Sequence, residues 1–140
     1  MSDTPVSLES LMTPSKTVTV DFPGYSGFKV DLTYLAREEL VKLRKKCLST
    51  TFNKRTHTPE EVLDEEKFLH HYTEGVIQGW KGLKYRYLEE FLLVDVSSYD
   101  PDDELPFSHE NAKTMMKNSS GFDTWVTETV GNLENFTGSK

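Results

Sequence analysis

The stretch from Thr58 to Trp80, TPEEVLDEEKFLHHYTEGVIQGW, decides how the chain is read, because it joins a start signal to a long helical period. Thr58-Pro59-Glu60-Glu61 has the form of a capping box. The threonine oxygen accepts from the Glu61 amide, and the Glu61 side chain reaches back to the Thr58 amide. Pro59 suits the first helical turn, where its missing N–H leaves nothing unsatisfied. Beyond it, Val62, Leu63, Phe68, Leu69, Tyr72, Val76 and Ile77 gather on one side at helical spacing. Gly75 and Gly79 weaken the pattern, so the helix is expected to end between Gly79 and Gly82.

Downstream, Gln78-Gly79-Trp80-Lys81-Gly82-Leu83 closes that helix on a Trp-x-Gly turn. Tyr85 to Val96 is rich in aromatic and β-branched residues, and periodicity leaves strand and short helix equally open. Ser97 to Pro106 is an acidic loop interrupted by Pro101 and Pro106. Leu105-Pro106-Phe107-Ser108 leads into another helix, with Ser108 as its cap and Phe107 able to staple against Ala112. Ala112, Met115 and Met116 face inward. After a break at Asn118 to Gly121, Phe122, Trp125, Val126, Leu133 and Phe136 make the apolar face of a last helix.

Upstream, Ser49 to Thr56 reads as a polar break. Before it, Leu35, Leu40, Leu43, Cys47 and Leu48 form one stripe of a helix starting near Asp31 or Thr33. Thr17-Val18-Thr19-Val20 and Phe28-Lys29-Val30-Asp31-Leu32 alternate in the strand period around Gly24-Tyr25-Ser26-Gly27, which makes a β-hairpin. Residues 1–15 are expected to be a flexible N-terminal arm. The expected fold class is mainly α (α+β): one helical domain over 16–137 with an N-terminal β-hairpin, and a second short strand pair left open around 85–96.

A chain of 140 residues suffices for one domain with a real core. No apolar run approaches the ~20 residues that cross a membrane, and the N-terminus lacks the pattern of a secretion signal, so a cytosolic protein is expected. A net charge of −7 argues against a duplex-DNA partner. The charge is uneven, with Arg37, Lys42, Arg44, Lys45, Lys46, Lys54 and Arg55 in one strip and acidic residues dominating from Asp95 to Glu134. Two readings stay open: solvated faces that attract each other across the fold, or a basic strip offered to an acidic or nucleic-acid partner.

No catalytic constellation emerges. His70 and Glu74 lie one helical turn apart, as two metal ligands could, but His71 is expected about 100° away and no third ligand is evident. Asp100, Asp102, Asp103 and Glu104 lack the glycine and distal glutamate of a calcium loop. Cys47 stands alone, which excludes an internal disulfide and reads as an inert, partly buried thiol. No histidine sits in a nucleophile motif and no glycine loop cradles a phosphate. The expectation is no enzyme, no cofactor and no metal.

The order of signals from Trp80 onward resembles the tail assembly chaperones of long-tailed, siphovirus-type bacteriophages. In that family a helix-terminal Trp-x-Gly is followed by Leu-Pro-Phe-Ser-x-Glu-Asn, a helix and a final amphipathic helix ending in Phe. Trp80, Gly82, Leu105, Pro106, Phe107 and Ser108 carry the match, together with Glu110, Asn111 and the segment Phe122 to Phe136. The family often joins the two motifs by a short turn, whereas Lys84 to Glu104 intervene here, so that segment's role is an open question. The resemblance implies a non-enzymatic factor of the host cytoplasm, absent from the mature virion. It would bind the phage tape-measure protein, keep it soluble and help recruit the tail-tube protein. Met115, Met116, Phe122, Trp125 and Phe136 are candidates for the partner-binding face, although the same residues would also fill a core. Self-association through the hairpin edge and charge poles fits the pattern, and neither membrane nor nucleic acid is expected as a partner. The alternatives are a structural tail or connector component, or a small regulatory protein-binding module.

Overall fold

A three-stranded sheet and the helices packed on it share the centre of the molecule. The structure, a computed structural model, describes residues 6–137. A short helical turn α1 (Leu8–Leu11) precedes β1 (Ser15–Asp21) and β2 (Lys29–Leu35). Then come α2 (Arg37–Lys46), β3 (Leu48–Asn53), β4 (Thr58–Leu63), α3 (Glu65–Val76) and β5 (Ile77–Lys81). The chain finishes with α4 (Tyr85–Phe91), α5 (His109–Asn118), α6 (Ser120–Val130) and α7 (Glu134–Thr137). Strands β1, β2 and β5 form one antiparallel sheet in that order, and β3 and β4 form a separate two-stranded sheet.

The mainly α expectation is therefore corrected: among the described residues the fold is α+β, 44% helix and 25% strand. The expected hairpin is present, with Val20 opposite Val30 and Val18 opposite Leu32. It is longer than alternation alone suggested. β2 runs on to Leu35, so the next helix starts at Arg37, after Ala36, and not at Asp31 or Thr33.

The second correction falls on the deciding stretch itself. Thr58 to Leu63 is a strand paired residue by residue with Leu48 to Asn53, so the supposed polar break is its partner. Thr50, Thr51 and Phe52 favour strand geometry, and Pro59 is tolerated because β4 has no neighbour on its far side. The helix begins instead at Asp64, whose carboxylate accepts the Lys67 amide at 3.0 Å. It ends at Val76, earlier than expected. Gln78 folds back and donates to the Glu74 and Gly75 carbonyls at 3.1 and 3.0 Å, satisfying the open end of the helix. Ile77 to Lys81 can then pair with β2, from Lys29↔Lys81 to Leu32↔Ile77, across an irregularity at Asp31 and Leu32. The strand pair left open around 85–96 is absent: that segment holds α4, and the second pair lies at 48–63.

One face of the three-stranded sheet makes the core. Val30 and Leu32 of β2 and Ile77 and Trp80 of β5 are buried there with Val76, Ala112, Met115, Met116, Phe122, Val126 and Val130 from α3, α5 and α6. Each large apolar side chain so buried contributes roughly 1.5–3 kcal/mol. At one end, Phe22 packs against Trp125, Phe91 and Phe28, with ring centroids 4.5, 5.1 and 5.4 Å away. At the other, Phe136 of α7 packs on Tyr34 at 5.4 Å. No helix among the described residues is long and apolar enough to cross a membrane.

Candidate interaction surface

The residues of the two sequence motifs, Trp80-x-Gly82 and Leu105 to Ser108, meet in space. Trp80 leaves β5 with its indole N–H donating to the Leu105 carbonyl at 3.0 Å, and Phe107 stands edge-on to its ring at 5.1 Å. Gly82 has a φ of +78°, and its amide donates to the Glu104 carboxylate at 2.7 Å. Leu105 returns the chain by donating to the Leu83 carbonyl at 2.9 Å. Asn111 then donates from its side chain to the Pro106 carbonyl, and the Ser108 hydroxyl caps α5 by accepting from the Asn111 amide at 3.0 Å. All six motif residues thus act as one joint between sheet and helices.

The intervening segment 84–104 is an excursion closed at its base. Lys84 and Glu104 bridge, the Tyr85 amide donates to the Asp103 carbonyl, and the Arg86 amide donates to Pro101. Arg86 and Lys84 both pair with Asp102, and Tyr85 stacks on Tyr99 at 4.6 Å. Asp100 accepts the Asp102 amide, so the acidic residues hold the turn together. Asp95, bonded by the Ser97 hydroxyl and amide, is held below the usual carboxylate range.

The partner-face candidates are mostly enclosed, and of the five Met116 alone touches the groove described below. Met115, Met116, Phe122 and Phe136 are buried in the core; only Trp125 keeps part of its ring exposed. Their helical spacing identified an inward face, and periodicity cannot tell an inward face from a docking face.

A surface the sequence did not single out is an open groove of about 650 Å³ where α3 faces α5 and α6. Leu63, Phe68, Leu69 and Tyr72 supply its apolar wall, and Met116 and Thr127 its far side. Glu65, Glu66 and Asp123 stand on the rim with Lys117, whose amine is 3.9 Å from Glu66. The Arg44 guanidinium lies over the Phe68 ring at 5.7 Å. Burial raises the Tyr72 phenol above its ordinary value, the Thr127 hydroxyl opposes this, and the Asp123 carboxylate adds to it; Tyr72 stays neutral.

Beside the groove, β3 and β4 project as a hairpin whose two strands are exposed along almost their whole length. Phe52 is 61% exposed on it, and Lys54 and Arg55 occupy its turn. No ion pair among the described residues joins the basic strip 37–55 to the acidic segment 95–134.

The remaining chemistry is sparse. Cys47 is free and fully buried. His70 and Glu74 approach to 3.3 Å, and with half-buried His71 the three offer ligand atoms within 4.8 Å of one another. Neither feature meets a nucleophile, base and orienting acid in one cleft. No family model matches the chain, and no curated protein or solved structure matches it.

Proposed function

We propose that the protein is a non-enzymatic assembly chaperone of bacteriophage tails. It binds the tape-measure protein in the host cytoplasm, shields that protein's apolar helices, and assists recruitment of the tail-tube protein. The observation that carries this proposal is the groove between α3, α5 and α6, apolar along Leu63, Leu69 and Tyr72 and rimmed by carboxylates. An amphipathic helix lays its apolar stripe into such a groove, and the rim sets which flanking charges it accepts. The motif joint from Trp80 to Ser108 supports the same proposal through its likeness to the chaperone pattern.

The test is co-expression with the tape-measure protein of the same phage, scored by the fraction of that protein recovered soluble. Leu69→Asp places a charge in the apolar wall and should abolish the solubilisation, while circular dichroism stays native. A folded Leu69→Asp variant that solubilises its partner fully would remove the groove from the function.

A structural tail or connector component is the second reading, favoured by the projecting β3–β4 hairpin, since open strand edges pair readily with neighbouring subunits. Quantifying the protein in purified particles separates the two. Stoichiometric copies in mature virions would support the structural role and exclude the chaperone.

A further inference from the structure

His70, His71 and Glu74 of α3 belong to neither the core nor the groove, whose wall Leu69 and Tyr72 supply from the same helix. One helical turn of spacing accounts for the approach of His70 to Glu74, whereas consecutive residues leave a helix about 100° apart. Yet the His70 and His71 rings meet edge to face with centroids 5.2 Å apart. The fold thus supplies the third ligand that spacing alone withheld.

The distances suit a tetrahedral ion. Ligand atoms ~2.0–2.1 Å from such an ion lie roughly 3.3–3.4 Å from one another. His70 Nε2 and Glu74 Oε2 are 3.3 Å apart, already at that separation and longer than a good hydrogen bond. All three ligand atoms fall within 4.8 Å of one another, and χ2 of an imidazole is a broad torsion through which the remaining gap closes. The frame behind them is firm. Thr73 and Val76 anchor the buried side of α3, and Gln78 ties the Glu74 and Gly75 carbonyls at its end. Among the described residues Glu74 pairs with His70 and with no lysine or arginine, so no fixed cation holds its carboxylate.

Ligand chemistry selects the ion. His71 and Glu74 border a cleft of about 430 Å³ between α2 and α3, together with Glu39, Lys42 and Lys46. Lys42 pairs with Glu39 at 3.5 Å and Lys46 formally balances Glu74, so no surplus of negative charge draws a cation in. Affinity must come from coordination itself. Imidazole nitrogen suits Zn²⁺ and its transition-metal neighbours, whereas Mg²⁺ and Ca²⁺ take oxygen. We infer that His70, His71 and Glu74 bind one divalent transition-metal ion of the Zn²⁺ class through two imidazole nitrogens and one carboxylate oxygen. The remaining coordination position is left to solvent, because the His70 and Glu74 side chains are about half exposed.

Isothermal titration of the full chain with ZnCl₂ tests it. One equivalent should bind, and the unfolding midpoint should rise with added Zn²⁺, because only the folded helix brings the three ligands together. His70→Gln, His71→Gln and Glu74→Gln should each weaken binding by about ten-fold or more. None of the three side chains is buried, so each variant should show native circular dichroism and the wild-type midpoint in EDTA. His57→Gln, in the β3–β4 turn, should leave the titration unchanged. Mg²⁺ and Ca²⁺ at the same concentrations should give no binding heat. If His71→Gln binds Zn²⁺ as tightly as the native chain, a two-ligand pair on one helical turn suffices and the three-ligand site is wrong. If Mg²⁺ binds as well as Zn²⁺, charge and not coordination holds the ion, and the site is again wrong. If no Zn²⁺ binds, or binding survives all three substitutions together, these residues are not a metal site. The chaperone proposal stands apart from every one of these outcomes, since Leu69→Asp tests it at the groove.

Discussion

At Gly82 a Cβ would lie 1.9 Å from the Gly27 carbonyl oxygen and 2.6 Å from its carbon, at a φ of +78°. Both obstacles are backbone, so nothing flexible can move aside. Gly82→Ala should cost about 3 kcal/mol or more, adding strain at positive φ to displacement of the Gly27 turn; urea unfolding measures it. Gly121 makes the opposite case, in the first turn of α6 with open space around it. Gly121→Ala should stabilise by about 0.5–1 kcal/mol in the same assay, because the helix gains without a clash. Trp80→Phe keeps an aromatic ring but leaves the Leu105 carbonyl without its donor, an expected loss of about 1–2 kcal/mol. The sequence signalled that Trp80 and Gly82 matter, and assigned them to a helix end. Their true setting is a strand and a tight backbone crossing, because Gly27 lies far off in the chain and only folding brings it near.

Among the elements, the region from Leu48 to Lys81 shows how a local signal loses. Thr58-Pro59-Glu60-Glu61 is a sound capping sequence, but a cap is worth about 1 kcal/mol, and the paired strand at Leu48 to Asn53 satisfies six residues at once. The cap in use is Asp64. Asp64→Ala should therefore cost about 1 kcal/mol in thermal unfolding, whereas Thr58→Ala should change stability by less than about 0.5 kcal/mol. The reverse result would restore a helix start at Thr58. Exposure along both strands of the β3–β4 hairpin also predicts its dynamics. Its amides should exchange with deuterium well before those of β2, which is enclosed by β1 and β5. The expected break at Asn118 to Gly121 narrows to Ser119, which ends α5 and caps α6 by accepting the Phe122 amide at 3.2 Å.

Across the whole molecule, alkaline titration reports the enclosure of the groove wall. The Tyr72 phenol is raised from its ordinary value of 10.0 by burial, with Asp123 adding and Thr127 opposing. A group whose folded pKa is raised binds its proton more tightly in the native state, so stability falls wherever only the unfolded chain ionises. The contribution is complete below about pH 10 and is lost as pH climbs through the folded value. The unfolding midpoint should be flat in this respect up to about pH 10 and then decline, and Tyr72→Phe should reduce the slope. Part of the slope should persist in that variant, because desolvation and Glu90 also raise Tyr25.

The sequence by itself determined the features that depend on near neighbours. The β1–β2 hairpin follows from alternation around Gly24 and Gly27, and the start of α5 from Ser108. Those signals lie within a turn or a pair of strands, where short-range energies decide. Tertiary structure alone decided that Ile77 to Lys81 is a strand, since its partner Lys29 to Leu32 belongs to the far end of the chain. It also decided that the aromatic and methionine faces of α5 and α6 turn inward and that the open surface is a groove shared by three helices. An apolar stripe states that a face will be covered; which element covers it depends on how the whole chain closes upon itself.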